Sequence, residues 1–462
     1  MLYWALNSCR LNIQNLFLVF VSYFFYALWD YRFLSLVIIS SGTDFLIGKK
    51  LKNTESHQNR KKLLLISITV NIGILFVFKY FGFFVESFSE FIILFGINPN
   101  IPTLNIVLPV GISFYTFQTL SYTVDVYKKK IEPCTDVIVF FAFVCFFPQL
   151  VAGPIERAKH FLIQFATQRK FHIADAKDGA RQILWGLFKK TVVADNLSVF
   201  VEMAFSGNPE LNGLDLIVGA VCFSVQIYCD FSGYTDIAIG SAKLLGFKLN
   251  KNFDNPYFSR NIIEFWQRWH ISLSTWFRDY VYIPLGGNRV SLVKWVLIVC
   301  ATLVVSGLWH GANWTFVVWG GIHAVFYIGT KLILVGQDDY KNIPLAKDNI
   351  FPSLKEIISI LTTFTLVTFA WVFFRAESIP SAIEFFYVLV TGSWSNVSFP
   401  VCKIGIICLI LFFVEWNHRH RLHGFEISYL PLYARWAAYY LVLAIMLKVG
   451  VYNSTPFIYF QF

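Results

Sequence analysis

"WTFVVWGGIHAVFYIGTKLIL", residues 314–334, is apolar and aromatic over the length of a membrane-crossing helix, yet it carries a histidine at position 323. About 20 predominantly apolar residues cross a bilayer core as a helix. The surrounding chain settles whether this stretch is such a crossing. Of 462 residues, 56% are hydrophobic and 14% charged, with a mean hydropathy of +0.58; soluble proteins carry about 25% charged residues. Apolar runs recur from residues 12–30 to 437–451, roughly eleven by the length rule, and only short polar loops separate them. The expected fold is an all-α polytopic membrane protein, with residues 1–462 as one membrane-embedded domain. No repeat period marks a solenoid or propeller.

The net charge of +10 does not point to nucleic acid, because lysine and arginine gather in short loops beside apolar runs, the positive-inside pattern. "KKLKNTESHQNRKK" (49–62) and "YKKK" (127–130) are therefore expected on the cytoplasmic side, and "INPNIPTLN" (97–105) outside. The first span lacks a charged leader and a small-residue cleavage site, so it is expected to stay. The eight cysteines stand singly, without CxxC pairs, and read as packing residues.

The run at 63–96 is too long for one perpendicular crossing and must tilt, break or project. "FFPQLVAGPIERAKHFLIQF" (146–165) places Pro148, Gly153, Pro154, Glu156 and Arg157 just past an apolar run. Broken backbone at membrane depth survives only where protein or water satisfies it, so a re-entrant or interfacial segment is expected. A basic amphipathic helix over 178–197 follows, near the cytoplasmic surface. Asp230 and Asp236 in "CDFSGYTD" (229–236) must face protein or a wet cavity. Asn261 and Glu264 have capping-box spacing, predicting a helix that runs on toward Arg278, with Trp266, Trp269 and Trp276 at the membrane interface.

The nine histidines sort by context. His57, His160 and His172 lie in or beside polar segments, and His418, His420 and His423 sit in "NHRHRLHG", a basic helix terminus whose arginines would repel a cation. His270, His310 and His323 lie within or beside apolar segments, and ionisable residues there are functional candidates. Thirteen residues separate His310 from His323, on the order of 20 Å if helical throughout, so His323 needs a partner from another segment, with His270 first in line. A desolvated, neutral imidazole accepts a hydroxyl proton, which suits general-base acyl transfer; a core histidine bonded to a carbonyl is the alternative. Gly320 and Gly321 permit close approach of a backbone or ligand. No HExxH sequence is present, and no metal is expected.

Five stretches together carry a resemblance: "LPVGISFYTFQTLSYTVDVY", "FFPQLVAGPIER", "QIYCDFSGYTDIAIGSAKLLGF", "NFDNPYFSRNIIEFWQRWHISLSTWFRDYVYIPLGGNR" and "LWHGANWTFVVWGGIHA". The chain resembles the bacterial alginate O-acetyltransferase branch of the membrane-bound O-acyltransferases, including the peptidoglycan O-acetyltransferase type, most densely over 108–324. The resemblance implies helices around a tunnel through a thinned membrane centre in the bacterial inner membrane. The acyl donor, acetyl-CoA or an acyl carrier, would enter from the cytoplasm and a polysaccharide acceptor from outside, with a periplasmic or surface partner completing transfer and no bound cofactor. It further implies His323 as the catalytic residue, His270 as the second signature position and His310 as the third. Such proteins usually begin with a further apolar stretch, whereas this sequence starts at "MLYWALNSCR".

Acyl transfer needs a base, an oxyanion donor and exclusion of water. His323 would be the base, and His270 would orient it or protonate the leaving thiolate. Asn313, Trp314 or backbone N–H groups would hold the oxyanion. "STPFIYFQF" (454–462) is either an interfacial aromatic anchor or, with Tyr459 as acyl acceptor, a relay, since a phenol of pKa near 10 forms a reactive ester. Two other functions remain open: D-alanyl transfer to teichoic acid within the same superfamily, and a transporter or flippase of lipid-linked sugars, because broken helices with buried charges also line substrate pathways.

Overall fold

The computed structural model describes residues 2–8, 10–97, 107–151, 153–208, 210–334, 345–346, 351–394, 397–452 and 457–458. Among them the structure is helical, without strands. Seven helical stretches are long and apolar enough to cross a membrane. The sequence count of about eleven runs was larger for a physical reason. Leu11–Lys52 holds two helices, Leu11–Asp30 and Leu34–Lys52, divided where Asp30 turns extended (φ −160°, ψ 110°), and apolar helices such as Ile112–Tyr127 and Val401–Asn417 have only 16 and 17 residues. The long run at 63–96 does not break: His57–Ile93 is one continuous helical stretch of 37 residues that passes through a π-helical turn at Phe76–Tyr80.

The chain forms two compact units, and the first comprises residues 1–180 and 238–250. Its core is a phenylalanine cluster in which Phe247 packs on Phe146 and Phe165 with ring centroids 4.6 and 4.5 Å apart. Three of its helices are joined by one buried carboxylate. Asp44 accepts hydrogen bonds from Asn71 Nδ2 and Thr123 Oγ1, each at 2.7 Å, and from Ser67. Arg60, from the basic loop, turns inward and donates to the carbonyls of Leu51 (2.6 Å) and Tyr127 (2.8 Å), satisfying groups that helix ends leave open. After Val137–Cys145 the helix breaks, and protein satisfies the broken backbone. Gln118 donates to the Phe143 carbonyl at 2.9 Å and accepts from Gln149 at 2.9 Å, and Pro148, Gly153 and Pro154 are buried in protein.

The second unit comprises residues 181–237 and 251–462. The expected surface helix at 178–197 is corrected here, since its lysines point inward. Lys189 pairs with Asp236 at 2.6 Å, while Lys190 pairs with Asp195 and Asp230 at 2.8 Å each. These are the carboxylates that the sequence reading could not leave in lipid, and a charge buried in protein persists only when paired. The helices Leu292–His310 and Trp314–Ile333 form a hairpin across a three-residue break. Glycine makes it close: a Cβ on Gly307 would collide with the Phe316 carbonyl, and one on Gly320 with that of Leu303.

Candidate active site

The site begins at a break in the polar and aromatic stretch 255–287 of the second unit. Asn261 caps the helix Ile262–Arg268, its side chain accepting from Glu264 N–H at 2.9 Å, as the spacing predicted. The helix does not run on to Arg278. It stops at Trp269, and a second helix, Ile271–Phe277, starts after His270, whose backbone is left-handed (φ 42°, ψ 56°). A non-glycine residue in that region stores about 1–3 kcal/mol, so the surroundings must hold it. The segment before the helix does so: Ile271 N–H donates to the Asn252 carbonyl and Asp254 N–H to that of Arg268, both at 2.9 Å. Asn252 Oδ1 also accepts from Ser272 N–H (3.1 Å) and Oγ (2.9 Å). Trp269 is thereby driven into the core rather than to an interface, and is fully buried.

His270, His310 and His323 all lie buried in one aromatic cluster. The expected pairing of His323 with His270 is corrected, because the left-handed turn carries the His270 ring toward a different neighbour. It packs on Phe231 (centroids 4.6 Å) and faces His310 at 6.3 Å. His323 instead meets Trp319 at 4.8 Å and Trp266 at 5.0 Å, both edge-on. Trp319 also packs on His310, at 5.1 Å, so an indole stands between the two histidines of the hairpin. Neither ring nitrogen of His323 has a hydrogen-bond partner among the described residues, which removes the reading of a core histidine tied to a carbonyl. For His270, which lies between helices outside the spans, burial pushes the imidazole from its ordinary 6.5 down to about 3.

Of the two side chains expected to hold an oxyanion, Asn313 is occupied elsewhere and Trp314 is turned outward. Asn313 caps Trp314–Ile333 by accepting from Thr315 N–H at 3.0 Å and donates to the Glu377 carbonyl at 3.0 Å. Trp314 is 50% exposed, although Thr315 and Phe316 of the same turn are buried. Sequence reasoning missed Trp266 and Trp319 as site residues, since tryptophan in a membrane protein reads first as an interface anchor. Tyr459 lies outside the described residues. Just before it, Ile458 N–H donates to Asp230 Oδ2 at 2.8 Å, and the Phe457 ring packs on Tyr234 (4.4 Å) and Phe231 (5.7 Å), the latter also a neighbour of His270. A cavity of about 370 Å3 opens beside the site, lined in part by Trp266, Ser274, Ser306, Tyr327 and Arg278.

The sequence is similar to those of known proteins. The sequence profile of the membrane-bound O-acyltransferase family matches residues 134–371. The chain is 38% identical over 384 residues to a probable alginate O-acetylase of Pseudomonas aeruginosa, covering 82% of this chain and 71% of that protein. It is 32% identical over 410 residues to the peptidoglycan O-acetyltransferase of Helicobacter pylori, covering 83% and 75%. It is 28% identical over 296 residues to the teichoic acid D-alanyltransferase of Bacillus subtilis, covering 61% and 72%. With its all-helical build, apolar spans and buried histidine site, the chain belongs to the membrane-bound O-acyltransferase family and is a multi-pass O-acyltransferase.

Proposed function

We propose that this enzyme takes an acetyl group from acetyl-CoA on the cytoplasmic face of a bacterial inner membrane for O-acetylation of an extracytoplasmic polysaccharide, alginate, another exopolysaccharide or peptidoglycan. A periplasmic or surface partner completes the transfer. The observation that carries the reading is His323, fully buried on a membrane helix with both ring nitrogens unpartnered among the described residues. In that setting a neutral imidazole has an open acceptor for a hydroxyl proton, and the apolar walls exclude the water that would hydrolyse a thioester.

In the reaction the acceptor oxygen bonds to the thioester carbonyl carbon while its proton passes to His323. Collapse of the tetrahedral intermediate breaks the C–S bond, and the departing thiolate takes the proton back. The cavity that shares Trp266 with His323 is the proposed berth for the donor's slender arm, with Arg278 near its phosphates. His270 does not touch His323, so its proposed role is positioning: it orients His310 across the aromatic cluster. The relay through Tyr459 follows the same step, the phenol oxygen replacing sulfur at the acyl carbon.

Release of CoA from acetyl-CoA, compared between wild type and a His323→Ala variant of equal melting temperature, tests the base. A drop of about 100-fold or more is expected for a lost general base; full turnover in the stable variant would make His323 structural. Running a D-alanyl carrier thioester beside acetyl-CoA separates this reading from D-alanyl transfer, which the Bacillus subtilis relative performs by name.

A further inference from the structure

The surroundings of His323 hold more open hydrogen-bonding atoms than a base needs. Besides its own two nitrogens, the indole N–H groups of Trp266 and Trp319 are buried with no hydrogen-bond partner among the described residues. Leaving a buried donor unsatisfied costs about 1–3 kcal/mol, and buried polar groups are otherwise nearly always paired. The indole N–H groups of Trp269 and Trp371 in the same cluster are unpartnered too among the described residues. Those of Trp266 and Trp319, however, belong to the two rings that flank His323 most closely, with centroids at 5.0 and 4.8 Å and interplanar angles of 75° and 69°, against 6.4 Å for Trp371. The two indoles meet each other at 5.8 Å, edge to face.

They come from different elements and are held firmly. Trp266 is fixed by the capped helix Ile262–Arg268, and Trp319 lies one helical turn before His323. Trp319 is 1% exposed, stacked on Trp371 at 5.5 Å and edge-on to Phe374 at 5.2 Å. Packing alone would be served by phenylalanine, which is abundant in this chain. What tryptophan adds is one donor and no acceptor. The complement of two donors beside an imidazole acceptor is an oxygen with two lone pairs next to a hydroxyl proton, as in a tetrahedral acyl intermediate.

We propose that Trp266 and Trp319 are catalytic residues that donate their indole N–H groups to the acyl oxygen as it becomes an oxyanion. The proposal rests on His323 as the base. As the hydroxyl oxygen bonds to the acyl carbon and its proton passes to His323, the C=O electron pair moves onto the oxygen held between the indoles. Its return expels the thiolate. Donors preset by packing need no reorganisation as the charge develops, which is where such groups lower the barrier most. Asn313 and Trp314 cannot take this role, the first being committed to a cap and a carbonyl and the second exposed.

The test replaces each tryptophan singly, in the full chain, by benzothienylalanine, which keeps the bicyclic shape and puts sulfur in place of N–H. With acetyl-CoA as donor and mannuronate oligosaccharides as acceptor, CoA release should fall about 100-fold in kcat per donor lost. The KM for acetyl-CoA should move less than about threefold, because the interaction is made only in the transition state. The melting temperature should not fall. Retained kcat at both positions, or a loss expressed in KM instead, overturns the proposal. Trp266→Phe and Trp319→Phe give a second route to the same reading, with kcat loss at an unchanged melting temperature supporting it. His323→Ala is run alongside: if it keeps turnover while the indole replacements lose kcat, the base assignment falls and the oxyanion donors stand. If it loses turnover while they keep it, the reverse holds.

Discussion

His270 shows how much a single backbone angle decides in this site. In a left-handed conformation it ends one helix, starts the next and turns its ring onto Phe231 and His310. Buried there, it holds no proton until about pH 3, against an ordinary 6.5. The sign of the linkage follows: the unfolded chain binds a proton below 6.5 that the folded chain refuses, so stability is fully present above 6.5 and is lost as pH falls toward 3. Melting temperature measured in detergent micelles is expected to decline over this acid window and to decline less steeply in His270→Leu. Parallel curves would mean that other groups set the acid limit. The sequence marked all three site histidines through one rule, that ionisable residues in apolar surroundings need a reason. It could not pair them, because neither glycine nor proline announces the turn at 269–271, and the pairing depends on that turn.

At the scale of elements, the hairpin Leu292–His310 and Trp314–Ile333 sets the distance from His310 through Trp319 to His323. Adjacent glycines give an internal comparison. An added Cβ at Gly320 runs into the Leu303 carbonyl and crowds Val304, whereas at Gly321 it meets nothing within 4 Å. Gly320→Ala is therefore expected to cost about 1–3 kcal/mol of stability, the range for overpacking, and to lower turnover by displacing Trp319 and His323. Gly321→Ala is expected to leave melting temperature and turnover near wild type. Thermal melts and CoA release on the two variants check this, and equal behaviour would show that close helix approach does not hold the site. Spans of this kind were legible from apolar run length. What was hidden were the turn at His270 and the burial of Lys189 and Lys190. Their partners Asp230 and Asp236 lie some forty residues on in sequence, and a local reading sees only a basic amphipathic pattern.

For the whole molecule the proposed function makes transport as much a constraint as chemistry, since that proposal has an acyl group presented as a cytoplasmic thioester and ending on a polymer outside. Carrying the acceptor through the protein would need a passage wide enough for a sugar chain. A relay on the protein's own phenol needs only that the acyl group move. The second unit brings its last described residues close to the ring that covers His270: Phe457 packs against Phe231, and the Ile458 N–H is held by Asp230, itself paired with Lys190. That anchoring is independent of any acyl chemistry, so it separates position from reaction. If Tyr459 accepts the acyl group, protein incubated with acetyl-CoA in the absence of polysaccharide should gain the mass of one acetyl group on the peptide that contains it. The gain should vanish in Tyr459→Phe and in His323→Ala, and addition of the partner and polysaccharide should discharge it. Transfer to polysaccharide that continues unchanged in Tyr459→Phe would remove the relay and leave the aromatic terminus as an anchor, with the acceptor hydroxyl then having to reach His323 itself.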